Sequence, residues 1–140
     1  MGRINMGRVV VGGLLAGLVV NISEFVLNTY VVGADMEAAL KAMNAPPMDN
    51  SEIPWFVVLG FLVGIVTVWL YAAIRPRFGA GVTTAVYAAL AVWFLAYAYP
   101  TAFMMVMQLF PRRPMVIGVV WGLVEIVVAG VAGAWAYTEA

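Results

Sequence analysis

The chain has no cysteine and no histidine, a single lysine, and only 10% charged residues. Each shortage closes off chemistry. Without cysteine there is no disulfide, no thiolate nucleophile and no iron–sulfur ligand set. Without histidine the usual zinc and haem ligands are missing, and so is the commonest general base. Seven basic and seven acidic residues cancel to zero net charge, which leaves no basic surface for nucleic acid. The sequence carries no metal-binding cluster and no cofactor motif. We therefore expect no cofactor, no metal and no enzymatic activity.

Apolar residues make up 65% of the chain and the mean hydropathy is +1.01. Soluble domains carry about 25% charged residues, so this composition belongs to an integral membrane protein. About 20 apolar residues in a helix cross the roughly 30 Å hydrocarbon core. Four runs qualify, at about residues 9–32, 54–74, 81–108 and 115–137. The expected fold is all-α, a four-helix transmembrane bundle forming one domain over residues 1–140. Arg3, Arg8 and the Val32-Gly33-Ala34 stretch look like parts of a signal peptide. The run between them is too long and contains Glu24, so it reads as a retained span.

The third run is too long for one straight crossing. Pro100 removes a backbone donor and predicts a kink there. Residues 75–80 (RPRFGA) and 109–114 (LFPRRP) read as tight turns. Residues 33–53 form the only sizeable loop, lying on the membrane surface. Within it DMEAALKAM predicts a short helix with Asp35 as N-cap and Met36, Leu40 and Met43 on one face.

Against this oily background, residues 21–28 read NISEFVLN. At about 100° per residue, Gly13, Gly17, Asn21, Glu24 and Asn28 fall within roughly an 80° arc. The polar residues thus continue a stripe of small ones. Small residues allow close helix approach, and Asn side chains hydrogen-bond across the contact. On the fourth run Gly118, Gly122, Glu125, Ala129, Ala132 and Ala136 share a face. The second run has a weaker version in Gly60, Gly64 and Thr67. Gly17–Glu24 and Gly118–Glu125 have the same seven-residue spacing, which suggests a degenerate internal repeat of runs 1–2 in runs 3–4.

An ionised group at mid-membrane costs a few kcal/mol even on lenient insertion scales. No basic residue lies within the runs to pair with Glu24 or Glu125. At least one of the two is expected to carry a proton at neutral pH, and as close neighbours they would titrate together. Glu24, Glu125, Asn21, Asn28 and Thr67 are thus the candidates for a proton or substrate site. Gly13, Gly17, Gly60, Gly64, Gly118 and Gly122 are the candidates for helix packing. Arg112 and Arg113 are candidates for contact with lipid headgroups. Seven methionines collect toward one side (Met36, Met43, Met48, Met104, Met105, Met107 and Met115). Thioethers select Cu(I), but with no Cys or His beside them these residues read as flexible interfacial filler.

The stretches VGGLLAGLVVNISEFVLN, GFLVGI…WLYAAIRPRFG, AVWFLAY and GLVEIVVAGVAGAW together resemble a group of small four-span bacterial integral membrane proteins with no assigned activity. The resemblance covers most of the chain and implies a bacterial inner membrane. Short loops hold Arg3, Arg8, Arg75 and Arg77 on one side, against Lys41, Arg112 and Arg113 on the other. By the positive-inside rule both termini are cytoplasmic. A looser likeness is to the small multidrug resistance transporters, which have four short spans and an essential membrane-embedded Glu in the first. Glu24 would correspond to it. This chain departs from them in its 21-residue first loop, its second Glu at 125, and the absence of their Trp/Tyr pattern in the third span.

The function read from sequence is structural or accessory. The bundle would pack through its small-residue and Asn/Glu faces into a homo-oligomer or a larger membrane complex, with membrane lipids as its other partners. The alternative is a small proton-coupled transporter or channel using Glu24 and Glu125.

Overall fold

The computed structural model describes residues 2–140. It is all-helical, with four helices long and apolar enough to cross a membrane: Met6–Val31, Asn50–Phe78, Val82–Val106 and Arg112–Ala136. We call these the first to fourth spans. A short helix, Gly33–Ala42, follows the first.

Local chemistry sets the ends. Asn5 caps the first span, its side-chain oxygen accepting from the Arg8 N–H at 3.1 Å. Asp49 accepts from the Ser51 N–H at 3.3 Å and starts a 3₁₀ turn that leads into the second span. Pro54 sits in the first α-helical turn there, where a missing N–H removes no helical bond.

Three boundaries differ from the sequence reading. Arg75-Pro76-Arg77-Phe78 is helix, not turn. The chain reverses only at residues 79–81, where Gly79 (φ 87°) and Gly81 (φ 128°) adopt backbone angles that favour glycine. The reversal is tied on both sides. Thr84 Oγ1 donates to the Gly79 carbonyl at 2.7 Å, and the Gly81 N–H donates to the Tyr71 hydroxyl at 3.2 Å. The fourth span starts at Arg112, so both arginines belong to its first turn rather than to a preceding loop. In the short helix Val32 is the N-cap, and Asp35 lies in the first turn instead. The Asp35 carboxylate accepts from Arg113 at 3.2 Å and ties the short helix to the start of the fourth span.

The irregularity expected at Pro100 is a π-turn over Phe94–Ala98, immediately upstream. There the Tyr99 N–H reaches the Phe94 carbonyl. Proline cannot donate to the carbonyl four residues back and its ring crowds it. A wider turn relieves that crowding without breaking the helix. A second π-turn, Leu27–Val31, ends the first span.

The first span packs on the second and fourth, and the third also packs on the second and fourth. Glycine makes these contacts close. A Cβ on Gly64 would lie 2.5 Å from the Gly13 carbonyl oxygen, and one on Gly17 would lie 2.6 Å from the Phe61 Cα. On the other side of the first span, a Cβ on Gly12 would lie 2.5 Å from the Gly133 carbonyl oxygen. The first span therefore has two small-residue stripes, Gly13/Gly17 toward the second span and Gly12/Ala16 toward the fourth. Gly118 is different, because a Cβ there would meet nothing within 4 Å. Gly17 and Gly118 thus share a spacing to a carboxyl residue but not a packing environment.

Both termini meet at one end of the bundle. The Asn5 N–H donates to the Tyr137 hydroxyl at 3.3 Å. Tyr137 packs edge-on against Tyr71, with ring centroids 5.9 Å apart. Arg75 lies 5.6 Å above the Tyr137 ring and 3.8 Å from Glu139.

Candidate functional site

The polar side chains within the spans divide into two groups. One group ties helices together. Asn21 Nδ2 donates to the Val57 carbonyl of the second span at 3.2 Å. Its side-chain oxygen occupies the place a Cβ would take on Gly60. Trp93 Nε1 donates to the Val119 carbonyl at 2.9 Å and joins the third and fourth spans. Thr67 is fully buried, but its hydroxyl turns back to the Val63 carbonyl of its own helix at 2.7 Å. Its methyl packs toward Gly130. Asn21 and Thr67 therefore stand apart from the carboxyl cluster, contrary to the sequence grouping. Their hydrogen bonds end on backbone carbonyls.

The second group surrounds Glu125, near the midpoint of the fourth span. Glu125 is 4% exposed. Tyr97 of the third span donates its hydroxyl to Glu125 Oε1 at 2.8 Å. Gly122, one turn below Glu125, leaves the slot that the Tyr97 ring fills. From the first span, Ser23 and Glu24 come within interaction range of Glu125. Ser23 Oγ accepts from Trp121 Nε1 at 2.8 Å. Glu24 Oε2 accepts from Asn28 Nδ2 at 3.0 Å, and the same amide reaches the Glu24 carbonyl at 2.9 Å. The order is a chain: Tyr97, Glu125, Glu24, Asn28. Neither Ser23 nor Glu24 closes an aligned hydrogen bond on Glu125 Oε2, which is buried without a partner among the described residues.

The two outer members of this chain share a feature. Tyr97 lies in the π-turn Phe94–Ala98 and Asn28 in the π-turn Leu27–Val31. A π-turn inserts one extra residue and rotates the side chains beyond it, a device that recurs at functional sites. Here each π-turn carries the donor that holds one of the two carboxyls.

Beside the cluster, a groove of about 610 Å³ opens on the flank between the first and fourth spans. It is lined by Val19, Ser23, Val120, Trp121, Val124 and Glu125, among others. A second, shallower groove of about 480 Å³ continues it past Val128 to Val131 and Trp135. Both open sideways, on the face that a bilayer would cover.

Arg112 is exposed, and Arg113 pairs with Asp35. Among the described residues no group of three His, Cys, Asp or Glu is placed to hold a metal ion. Ser23, Tyr97 and Trp121 were missed by the sequence reading. The available signal was chemical: a Tyr hydroxyl or Trp N–H at mid-span needs a buried partner. Comparison with protein-family models, with curated proteins and with solved structures finds no match to this chain.

Proposed function

We propose that this membrane protein is a small proton-coupled carrier whose working part is the Glu24–Glu125 pair. The observation that carries the reading is the buried, unpartnered Oε2 of Glu125 beside a second carboxyl. A buried polar atom without a partner costs about 1–3 kcal/mol. One proton held between the two carboxyls removes that cost and halves the charge of the pair. Tyr97 steadies Glu125 from one side and Asn28 steadies Glu24 from the other. The site lies behind an apolar groove that opens to the lipid, so on this reading the coupled solute is a hydrophobic one that approaches from the membrane. With Arg3, Arg8, Arg75 and Arg77 at the end where the termini meet, we place that end in the cytoplasm of a bacterial cell.

The accessory reading has its own support. Asn21–Val57, Trp93–Val119 and Trp121–Ser23 stitch the spans together, and partners or further copies of the chain would then cover the outer faces. The two readings separate on Glu125. Infrared difference spectra of the protein in nanodiscs, with Glu125→Gln and Glu24→Gln to assign carboxyl bands, test the proposal. A protonated carboxyl band that moves with pH and vanishes in either variant supports a proton site. A carboxyl signal unresponsive to pH, together with loss of folding or assembly in both variants, returns the pair to packing.

A further inference from the structure

We propose that Glu125 exchanges its proton with water at one end of the bundle only, the end away from the termini, and that the proton passes through Glu24, which Asn28 holds at the exit. This rests on the reading of Glu24 and Glu125 as a proton-holding pair, and adds a route and a side to it.

The carboxyl site is graded in depth toward that end. Val31 and Arg112 mark it, and the Asp35–Arg113 pair joins them. At 1.5 Å per residue, Glu125 lies roughly 20 Å along the fourth span from Arg112. Glu24 lies roughly 10 Å, and Asn28 roughly 5 Å, along the first span from Val31. The two spans have 25 and 26 residues, longer than the roughly 30 Å hydrocarbon core requires. Their ends therefore stand in the headgroup region, which places Asn28 at the hydrocarbon edge, Glu24 one turn deeper and Glu125 at mid-membrane. Exposure follows the same order: Asn28 is exposed, Glu24 half-buried and Glu125 buried. Asn28 Nδ2 holds Glu24 Oε2 and the Glu24 carbonyl, while its Oδ1 makes no hydrogen bond among the described residues and is left to accept from water.

Toward the termini the polar steps stop. Ala16, Val20, Val68, Ile126 and Ala129 pack there, each 3% exposed or less. Gly12 and Gly133 bring the first and fourth spans into backbone contact beyond them. Thr67, beside Gly130, offers a hydroxyl on that side, but it is committed to the Val63 carbonyl. The outer groove past Val128 presents no carboxyl and no hydroxyl. Protons move along hydrogen-bonded groups, so apolar packing of this kind closes the route.

Glu125 Oε2 has no surface of its own, so its proton comes from a neighbour within the chain. Glu24 is the neighbour with a proton to give. Tyr97 from the third span is the other titratable group facing the pair, and the second span has none between Glu52 and Tyr71. A proton from water forms an O–H bond on Glu24. That bond breaks as one forms on Glu125 Oε2, and Glu24 is left as the carboxylate that Asn28 holds. Tyr97 stays on Oε1 throughout.

The test uses the full chain in sealed liposomes. The chain has no cysteine, so Thr138→Cys with an impermeant maleimide reports which end faces out. The pH is stepped on one side at a time, outside by rapid mixing and inside by an ammonium gradient, while infrared spectroscopy follows the Glu125 carboxyl band. The expected result is a fast change when the step is on the side away from the termini. A step on the side of the termini should act only as fast as protons leak across the bilayer. Asn28→Leu should slow the fast change roughly tenfold, as loss of one hydrogen bond at the exit would. Asn28→Gln keeps the amide and should slow it less. Equal speed from both sides, or a faster change from the side of the termini, would overturn the proposal, and so would an unslowed Asn28→Leu. In each of those cases the band still titrates and the proton-site reading survives. A band that stays silent even when an ionophore equilibrates both sides overturns both.

Discussion

Tyr97 reaches Glu125 from a π-turn that ends two residues before Pro100, and it does so across the bare backbone of Gly122. Three sequence features on two helices thus converge on one 2.8 Å hydrogen bond. Removing the hydroxyl with Tyr97→Phe leaves the ring in its slot and strips Oε1 of its donor. Both oxygens of a buried carboxyl would then lack partners. A cross-helix hydrogen bond in a membrane averages only about 0.6 kcal/mol. Leaving a buried acceptor unpaired costs more, about 1–3 kcal/mol. We expect Tyr97→Phe to fall in the upper range. Reversible unfolding in mixed micelles measures it, and a loss below about 0.5 kcal/mol would show that water or another group replaces the hydroxyl.

Gly64 and Gly118 give a matched pair of opposite sign. A methyl group at Gly64 runs into the backbone of Gly13 and Gly17, and backbone cannot step aside as a flexible side chain can. Overpacking of this kind costs about 1–3 kcal/mol, so Gly64→Ala should lower the melting temperature clearly. A methyl group at Gly118 meets nothing. Gly118→Ala should be neutral, or stabilising by up to about 1 kcal/mol through helix propensity. Equal melting temperatures for the two variants would contradict the contact between the first and second spans.

Much of this was legible in the sequence. The four spans follow from hydropathy and length, because a bilayer demands long apolar helices whose backbone groups are satisfied internally. Glu24, Asn28 and Glu125 stand out as polar residues in hydrocarbon, and Gly13, Gly17, Gly60 and Gly64 as a stripe. What a helical wheel cannot supply is the partner of each face. Asn21 and Glu24 share a face on paper, yet one turns to Val57 of the second span and the other toward Glu125 of the fourth. The π-turns were also invisible. Each adds a residue to the helical count, at Leu27–Val31 and Phe94–Ala98, although Asn28 still meets Glu24 as ideal periodicity expects. The helix through Arg75–Phe78 was missed because Pro76 reads as a breaker, although near a helix end it removes few bonds.

Trp121 and Ser23 form a cross-span pair that a double-mutant cycle isolates. Trp121→Phe removes the donor and keeps most of the ring volume, while Ser23→Ala removes the acceptor. The pair joins the first and fourth spans directly beside Glu125. Each single variant should destabilise the bundle, and the double variant should lose less than their sum. The coupling energy should be about 0.5–1.5 kcal/mol. A coupling of zero would mean that the indole N–H is satisfied elsewhere.

The last prediction concerns the origin of the π-turn at Phe94–Ala98. If proline crowding creates it, Pro100→Ala should let the segment close into regular α-helix, with the Tyr99 N–H moving from the Phe94 carbonyl to that of Leu95. Removing the extra residue rotates what lies on either side of it by about 100° relative to the other. Tyr97 would then no longer align with both Gly122 and Glu125. Pro100→Ala should therefore improve local helix geometry and yet disturb the carboxyl site. The Glu125 carboxyl band should move in the same direction as in Tyr97→Phe, although residue 100 is outside the cluster. Should the band keep its wild-type position, the π-turn is held by the packing of Tyr97 itself, and Pro100 only tolerates it.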